Sequence, residues 1–198
     1  MLMAEILYQG HASFRIITNS KLVIYVDPYA GEGYDLPADV LCVTHRHFDH
    51  YTEGLAPLKP DCTIITNEEA YTDGEYNTWE INDIVIEAVP AYNHHHPKGT
   101  GVGYVMQFDG RTVYFPGDTG ITEEMKELST RHIDLMFVPC DGTYTMTLDE
   151  AKECSYLVNA DFTVPIHTSV EKPFDMDVAR NYEGKEKFIV RPGEPIYT

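Results

Sequence analysis

The order of predicted secondary-structure elements along this 198-residue chain favours an α+β or layered sandwich fold. Strand-like runs fill the opening half, strands alternate with helices in the rest, and turn residues close most runs. No linker, low-complexity tract or short repeat divides the sequence. Two sheets with helices on their outer faces would suit this order, and the length predicts a single domain over residues 1–198.

The opening half is predicted as strands because apolar and β-branched residues recur there in short runs. The predicted strands cover residues 5–8, 12–18, 21–26, 40–43 and 63–66. Asn19-Ser20 fits a tight hairpin between the second and third of these strands. Residues 81–90 alternate apolar and polar side chains, as one half-buried strand should.

The second half combines strands and helices. Asp109-Gly110 is a strong hairpin signal between strands predicted over 103–108 and 112–115. Further strands are expected over residues 133–138, 162–166 and 188–190. Helices are expected over 123–131, with Thr122 as N-cap, and over 148–159 and 175–182.

Composition restricts the classes of partner. The chain has 14 Lys and Arg against 32 Asp and Glu, a formal charge of −18, which disfavours binding to nucleic acid or anionic lipid. No apolar stretch approaches the ~20 residues of a membrane-spanning helix. The N-terminus lacks the pattern of a secretory signal, and the four cysteines form no C-x₂-C pair. We expect a cytoplasmic protein that acts on a small molecule, with its oligomeric state left open.

The segment most informative about function is Thr44-His45-Arg46-His47-Phe48-Asp49-His50, which follows the apolar run 40–43. Imidazole nitrogen and carboxylate oxygen are ligands that zinc prefers. In an extended segment His45, His47 and Asp49 share a face, and a bend could divide the four groups between two adjacent ions. The spacing differs from the helical H-E-x-x-H zinc motif. The sequence therefore predicts a metal site on the loop that leaves this strand.

Additional ligands are expected from other strand ends, because one short loop rarely completes two coordination shells. Ligand-type residues follow three further predicted strands: His94-His95-His96, Asp118 and His167. Functional groups concentrate where a rigid scaffold meets solvent. From spacing alone, any of the three consecutive histidines could bind metal.

The order H-x-H-x-D-H, a later His, a Gly-Asp and a final His resembles the signature of the metallo-β-lactamase superfamily. Surrounding segments resemble its small stand-alone metal-dependent hydrolase branch, near the ascorbate-6-phosphate lactonase-like proteins. These segments are Gly10-His-Ala-Ser-Phe14, Val26-Asp-Pro28, Tyr114-Phe-Pro-Gly-Asp-Thr-Gly120, Gly142-Thr-Tyr-Thr-Met146 and Val164-Pro-Ile-His167. The resemblance implies a four-layer αββα sandwich with a dinuclear site at one edge of the sheets.

The resemblance also implies a ligand set. By motif position the first metal is expected on His45, His47 and His96, the second on Asp49, His50 and His167, with Asp118 bridging the two. His96 is chosen over His94 and His95 because His96-Pro-Lys-Gly99 looks like the stretch that carries this ligand in relatives. Two divalent ions are implied, with zinc expected and manganese or iron as alternatives.

The expected activity is cleavage of a small ester, lactone or phosphoester by a metal-bridged hydroxide. Asp49 and Asp118 are assigned the catalytic roles, with Asp49 orienting the nucleophile. His11 is a candidate to approach the site, and Lys98 and Lys172 are candidates to bind an anionic substrate at its mouth. The alternatives are a nuclease, a mononuclear iron dioxygenase and a non-catalytic metal-binding scaffold.

Overall fold

Strands outnumber helices in the structure, a computed structural model that describes residues 3–198. The strands are β1 (Glu5–Gly10), β2 (Ser13–Ile17), β3 (Val23–Val26), β4 (Ala38–Cys42), β5 (Leu58–Ile65), β6 (Tyr71–Thr72), β7 (Glu75–Tyr76), β8 (Thr78–Ile81), β9 (Ile84–Ala91), β10 (Gly101–Phe108), β11 (Arg111–Phe115), β12 (Leu135–Pro139), β13 (Phe162–Ile166) and β14 (Pro195–Tyr197). The helices are α1 (Asn67–Ala70), α2 (Met125–Leu128), α3 (Leu148–Val158) and α4 (Met176–Asn181).

Twelve of these strands form two six-stranded sheets, and β6 and β7 form a separate ribbon. The first sheet has the order β14-β1-β2-β3-β4-β5 and the second the order β13-β12-β11-β10-β9-β8. Strands β3 to β5 are parallel, and so are β11 to β13. Side-chain contacts between the loops after β4, β11 and β13 show that the carboxyl ends of both parallel sets meet at one edge. Ligand sites of layered folds are commonly built at such edges.

The main core lies between the two sheets. Phe14 on β2 contacts Phe137 on β12 and Phe115 on β11, with ring centroids 4.3 and 5.1 Å apart. Each aromatic side chain of this kind contributes about 1.5–3 kcal/mol through burial of apolar surface. The contacts hold the two sheets face to face, so that their loops meet at one edge.

The outer faces of the two sheets are covered differently. Tyr114 and Met136 of the second sheet pack against α2 and α3 in a second core. The outer face of the first sheet packs against connecting segments, including Tyr34 and Tyr51. Two facing sheets, with helices on the outer face of the second, confirm the predicted αββα class. Within residues 3–198, every helix is too short or too polar to cross a membrane.

The predicted helix over 148–159 corresponds to α3. Thr147 and Glu150 form a capping box at its start, and Asn159 closes it in a left-handed conformation with φ 61°. The predicted helix over 123–131 is wrong in length, because α2 covers only Met125–Leu128. Thr122 is not its N-cap, since successive i to i+3 backbone bonds form a tight turn before the helix begins.

Two strand predictions also differ from the structure. The strand predicted over 81–90 corresponds to β9 but begins later, because Ile81 ends β8 and a turn in which Asn82 has a φ of 54° precedes Ile84. Residues 188–190 form no strand; Lys187 makes one bridge to Thr163 instead. Strand β14, which pairs with β1, was not predicted.

Candidate metal centre

The loop after β4 is held in place by a buried aspartate. The backbone N–H of Thr44 donates to Asp27 Oδ1 at 2.7 Å, and the Thr44 hydroxyl donates to Asp27 Oδ2 at 2.6 Å. A turn then brings the His50 N–H to the His47 carbonyl at 3.1 Å. This bend lies between His47 and His50, and the rings of His45 and His50 still lie next to each other, with centroids 4.1 Å apart.

His45, His47 and His96 form the first cluster, in which one nitrogen from each ring lies within 4.8 Å of the others. His96 Nε2 is 3.3 Å from His47 Nδ1. The three ring centroids are 4.6–5.0 Å apart. His45 and His96 are buried, whereas His47 is exposed at the mouth of the site.

The structure separates His96 from the two histidines before it. His94 and His95 are exposed, and His96 is 4% exposed. Asn93 Oδ1 accepts the backbone N–H groups of His95 and His96 and lies 3.1 Å from His96 Nδ1. Because an amide oxygen can only accept, Nδ1 carries the proton and Nε2 is left free to face the cluster.

The second cluster consists of Asp49, His50, His167 and His11. One ligand atom from each lies within 4.8 Å of those of the others. His50 and His167 are fully buried, and Asp49 is partly exposed. The chain therefore places the Asp49-His50 end of the loop against the end of β13. His11 joins it from the turn between β1 and β2.

Asp118 lies between the two clusters. Its Oδ1 is 3.0 Å from His50 Nε2 and 3.4 Å from His167 Nε2. Its Oδ2 faces the other way, 3.9 Å from His45 Nε2 and 3.7 Å from His96 Nε2. One carboxylate thus presents an oxygen to each cluster.

Gly117 allows Asp118 to approach this closely. Its φ is 64°, and a Cβ there would lie 2.7 Å from the Val102 carbonyl oxygen and 3.0 Å from Thr44 Cβ. Both the left-handed backbone and the space require glycine. The Pro-Gly-Asp sequence therefore carries the carboxylate between the two histidine clusters.

Two aspartates that sequence analysis did not single out orient ligand-type histidines. Asp27 Oδ2 accepts His50 Nδ1–H at 2.8 Å, and Asp141 Oδ2 lies 2.8 Å from His167 Nδ1. Both carboxylates are buried. Such pairs leave the other ring nitrogen directed at a metal. The signal was available, because both aspartates follow buried strands, as Asp118 does.

Burial and neighbouring charges shift the pKa values of these groups. Burial lowers the pKa of His45 to about 2 and also lowers that of His96. Burial alone would lower the pKa of His50, but the carboxylates of Asp118 and Asp27 raise it well above its ordinary value. Burial alone would raise the pKa of Asp118, but the nearby histidines hold it far below the usual range. His45 and His96 are therefore neutral imidazoles, whereas His50 forms a charged pair with the carboxylates beside it.

The donor set fits divalent cations. Among the described residues, the buried atoms His45 Nε2, His50 Nε2, His167 Nε2 and Asp118 Oδ1 have no hydrogen-bond partner. Leaving such atoms unsatisfied costs about 1–3 kcal/mol each, and more for charged groups. All four converge on one region, and imidazole nitrogen with carboxylate oxygen is the ligand chemistry of zinc and its neighbours. The cluster is therefore able to bind metal.

The chain belongs to the β-lactamase superfamily, since the model of the β-lactamase superfamily domain matches residues 5–167. A protein from Parabacteroides distasonis, classed as a metal-dependent hydrolase, has a structure 30% identical in sequence. Its TM-score is 0.75, with 93% of this chain and 91% of that chain covered. Within the superfamily the chain lies in the stand-alone metal-dependent hydrolase branch.

Curated relatives agree over almost the full length. The UPF0173 metal-dependent hydrolase of Thermococcus onnurineus is 28% identical over 97% of this chain and 98% of that protein. The metallo hydrolase Igni18 of Ignicoccus hospitalis shares the fold, with a TM-score of 0.76, 21% identity and 99% and 98% of the chains covered. These likenesses place the chain among the metal-dependent hydrolases of the metallo-β-lactamase superfamily.

Proposed function

We propose that this protein hydrolyses a small ester, lactone or phosphoester at a dinuclear metal centre carried by one domain over residues 1–198. The proposed ligands of the first ion are the three histidines of the first cluster, His45, His47 and His96. Those of the second ion are Asp49, His50 and His167. Asp118 is proposed to bridge the ions, and zinc is the proposed metal.

The observation that carries this proposal is the position of Asp118. Its two oxygens face different clusters, at 3.0 Å from His50 Nε2 and 3.7 Å from His96 Nε2. A carboxylate with one oxygen toward each cluster suits a pair of ions rather than one. His50 and His167 are favoured over His11 as ligands because Asp27 and Asp141 lie 2.8 Å from their Nδ1 atoms, which leaves Nε2 directed at the site. His11 Nε2 instead faces Asp49 Oδ2 at 3.4 Å.

The residues support hydrolysis without a serine or cysteine nucleophile. When bound, the two ions supply an activated water near neutral pH and polarise the substrate oxygen. Asp49 is partly exposed and is suited to orient the nucleophile. Burial alone would raise the pKa of Asp49, but His11 and His50 lower it, so the carboxylate stays charged as an acceptor. Asp118 holds the two clusters in one geometry.

Metal content per chain tests this proposal. Protein purified without chelator is expected to hold about two equivalents of zinc, manganese or iron, and metal-depleted protein should recover that content on reconstitution. His47→Ala should lower the content and abolish hydrolysis of an ester, lactone and phosphoester panel. Unchanged metal content in His47→Ala, or no uptake by the depleted protein, contradicts the ligand assignment.

The same measurements separate the alternatives. One equivalent of iron per chain would favour a mononuclear dioxygenase. Loss of labelled RNA or single-stranded DNA on incubation with the metal-loaded protein would favour a nuclease. Full metal content with no turnover on the whole panel would favour a metal-stabilised scaffold. The proposed cytoplasmic location is checked by fractionation of the source cells.

A further inference from the structure

Exposed apolar side chains cluster on the loops of the candidate site. Phe48 is 81% exposed and lies between His47 and Asp49 in the chain. Val170, 48% exposed, follows His167 by three residues, and Tyr144, 46% exposed, follows Asp141 by three. Single exposed apolar residues are ordinary on protein surfaces, but a group around one site indicates a binding function.

Two of these side chains line a cleft that opens onto the second cluster. Phe48 and Val170 share a cleft of about 50 Å³ with His11 and Asp49, and the stretch Glu171–Pro173, whose Lys172 is paired with Asp175, completes its lining. Tyr29 closes the cleft beside Phe48, with ring centroids 6.5 Å apart in an edge-on arrangement. An apolar group in this cleft would lie next to the Asp49 carboxylate.

Tyr144 lies beside the loop of the first cluster. Its ring is 5.3 Å from the His95 ring, and its carbonyl accepts the Asn93 side-chain N–H at 2.7 Å. Apolar surface is therefore present next to both clusters. A substrate with an apolar substituent could be held from either side of the proposed ions.

The basic side chains near the site are already paired. In the described part of the chain, Arg46 lies 3.3 Å from Glu68, Lys172 lies 2.8 Å from Asp175, and Lys98 contacts Glu124. Lys98 and Lys172, the candidates for binding an anionic substrate, therefore each face a carboxylate that offsets their charge.

Four carboxylates at the site offset the charge of the proposed ions. Asp49, Asp118, Asp27 and Asp141 lie in or directly behind the two clusters, and together they balance two divalent ions. The formal charge of the chain is −18. Neither the site nor the surface around it therefore supplies the excess positive charge that attracts an anion.

We propose that the substrate is an uncharged carboxylic ester or lactone with an apolar substituent, bound on Phe48, Val170 and Tyr144. This inference rests on the proposed hydrolase function and narrows it, since it disfavours phosphomonoesters. The apolar substituent lies in the cleft beside Asp49, and the scissile carbonyl lies at the ligand atoms of the two clusters.

Matched esters test the substrate class. With zinc-loaded protein, kcat/KM should rise about tenfold or more from p-nitrophenyl acetate to p-nitrophenyl hexanoate, because the longer chain buries more apolar surface. The hexanoate should also exceed p-nitrophenyl phosphate, which has the same leaving group. Equal rates for the two esters, or a preference for the phosphate, overturns the proposal.

Substitutions test the location. Phe48→Ala should reduce kcat/KM about tenfold more for the hexanoate than for the acetate, mainly through KM, with the metal content of the variant measured alongside. Tyr156→Ala is the matched control, because Tyr156 is a 58% exposed aromatic residue on α3. Equal effects of the two substitutions contradict the assignment of Phe48.

Binding of alkyl hydroxamates separates this inference from the proposed activity. Hexanohydroxamate should bind the zinc-loaded protein about tenfold more tightly than acetohydroxamate by calorimetry, and Phe48→Ala should remove the difference. If no ester or lactone is hydrolysed but this difference is present, the proposed activity fails and the apolar binding surface stands. If esters are hydrolysed without any chain-length dependence in rate or binding, the activity stands and the apolar surface is wrong.

Discussion

The two clusters of the candidate site differ in how their imidazoles are oriented. In the second cluster, His50 and His167 are fully buried and each has an aspartate 2.8 Å from Nδ1. In the first cluster, His47 is exposed, and His96 is oriented by the neutral Asn93 amide at 3.1 Å. The histidines of the second cluster are therefore oriented by buried carboxylates, whereas His96 of the first cluster is oriented by a neutral side chain on its own loop.

This difference indicates different metal affinities. A carboxylate behind an imidazole fixes the ring and increases its basicity, whereas an amide mainly fixes it. The second cluster should therefore hold its ion more tightly, and the first should exchange its ion more readily. The following substitutions test this ranking, from the largest expected effect to the smallest.

Asp118→Asn should have the largest effect, because Asp118 faces both clusters. Removing its charge should weaken binding of both ions by more than a hundredfold, above the range expected for residues that only orient a ligand. Hydrolysis should fall by at least the same factor. Elemental analysis and metal titration check this, with Asp177→Asn, on a side chain that is 87% exposed, as control. Retention of one ion at full affinity would mean that Asp118 serves only one cluster.

Asp27→Asn should weaken the binding of the second ion selectively. Loss of the carboxylate behind His50 should reduce affinity for the second ion about 10–100-fold and leave the first within a factor of a few. Asp141→Asn should act in the same direction through His167. Two-step zinc titration of the metal-depleted protein measures both affinities.

Asn93→Ala is the counterpart in the first cluster. It frees His96 Nδ1 and the backbone N–H groups of His95 and His96. The affinity for the first ion should fall, because His96 loses the group that orients it. The fall should be smaller than that of the second ion in Asp27→Asn, because an amide is removed rather than a charge. A larger effect of Asn93→Ala would reverse the proposed ranking of the two clusters.

Strands were the most predictable part of the fold, because β-branched residues and turn signals mark most of them locally. Strand β14 has no such mark: its pairing of Tyr197 with Glu5 depends on two segments at opposite ends of the described chain. The helical pattern over 123–131 failed for a related reason. Local propensity extends beyond α2, but i to i+3 bonds and packing of Met125 and Leu128 limit the helix to one turn.

The residues that could bind metal were more predictable than those that orient them. The motif places ligand-type side chains on successive strand ends, and the structure brings His45, His50, Asp118 and their partners together. The Asp27–His50 contact depends on how β3 pairs with β4, and the spacing of residues along the sequence does not reveal that pairing. For the same reason, the burial of His96 beside the exposed His94 and His95 required the structure.

Proton release should distinguish the two clusters. The pKa of His50 is raised well above 6.5 by Asp118 and Asp27, so metal-free protein holds a proton there at neutral pH. Burial lowers the pKa of His45 and His96, so these rings hold none. Binding of the second-cluster ion should therefore release the His50 proton, and should release more protons than binding of the first-cluster ion, to which His45 and His96 contribute none.

Calorimetry in buffers of different ionisation enthalpy counts these protons. The sign follows from the raised pKa of His50: lowering the pH favours its protonated form, so affinity for the second ion should fall as pH falls from 8 to 6. Affinity for the first ion should change less over the same interval. Equal proton release in both steps would contradict the assignment of a charged pair to one cluster alone.

The smallest effect is expected at His11, which supports the second cluster from the side. Its Nε2 lies 3.4 Å from Asp49 Oδ2, and its ring lies 3.6 Å from that of His167. The backbone is anchored by its N–H to the Pro173 carbonyl and by its carbonyl to the His167 N–H, which maintains a φ of 56°. His11 is thus positioned to orient both Asp49 and His167.

Two substitutions separate these contacts. His11→Phe keeps a ring against His167 but cannot donate to Asp49, and His11→Gln keeps a donor without the ring. Each should lower the affinity for the second ion by less than about tenfold, because one contact remains, and leave the affinity for the first ion unchanged. A general loss of packing would lower thermal stability without discriminating between the ions. If His11→Phe lowers the affinity for the second ion selectively and His11→Gln does not, the contact with Asp49, rather than the ring contact with His167, supports metal binding.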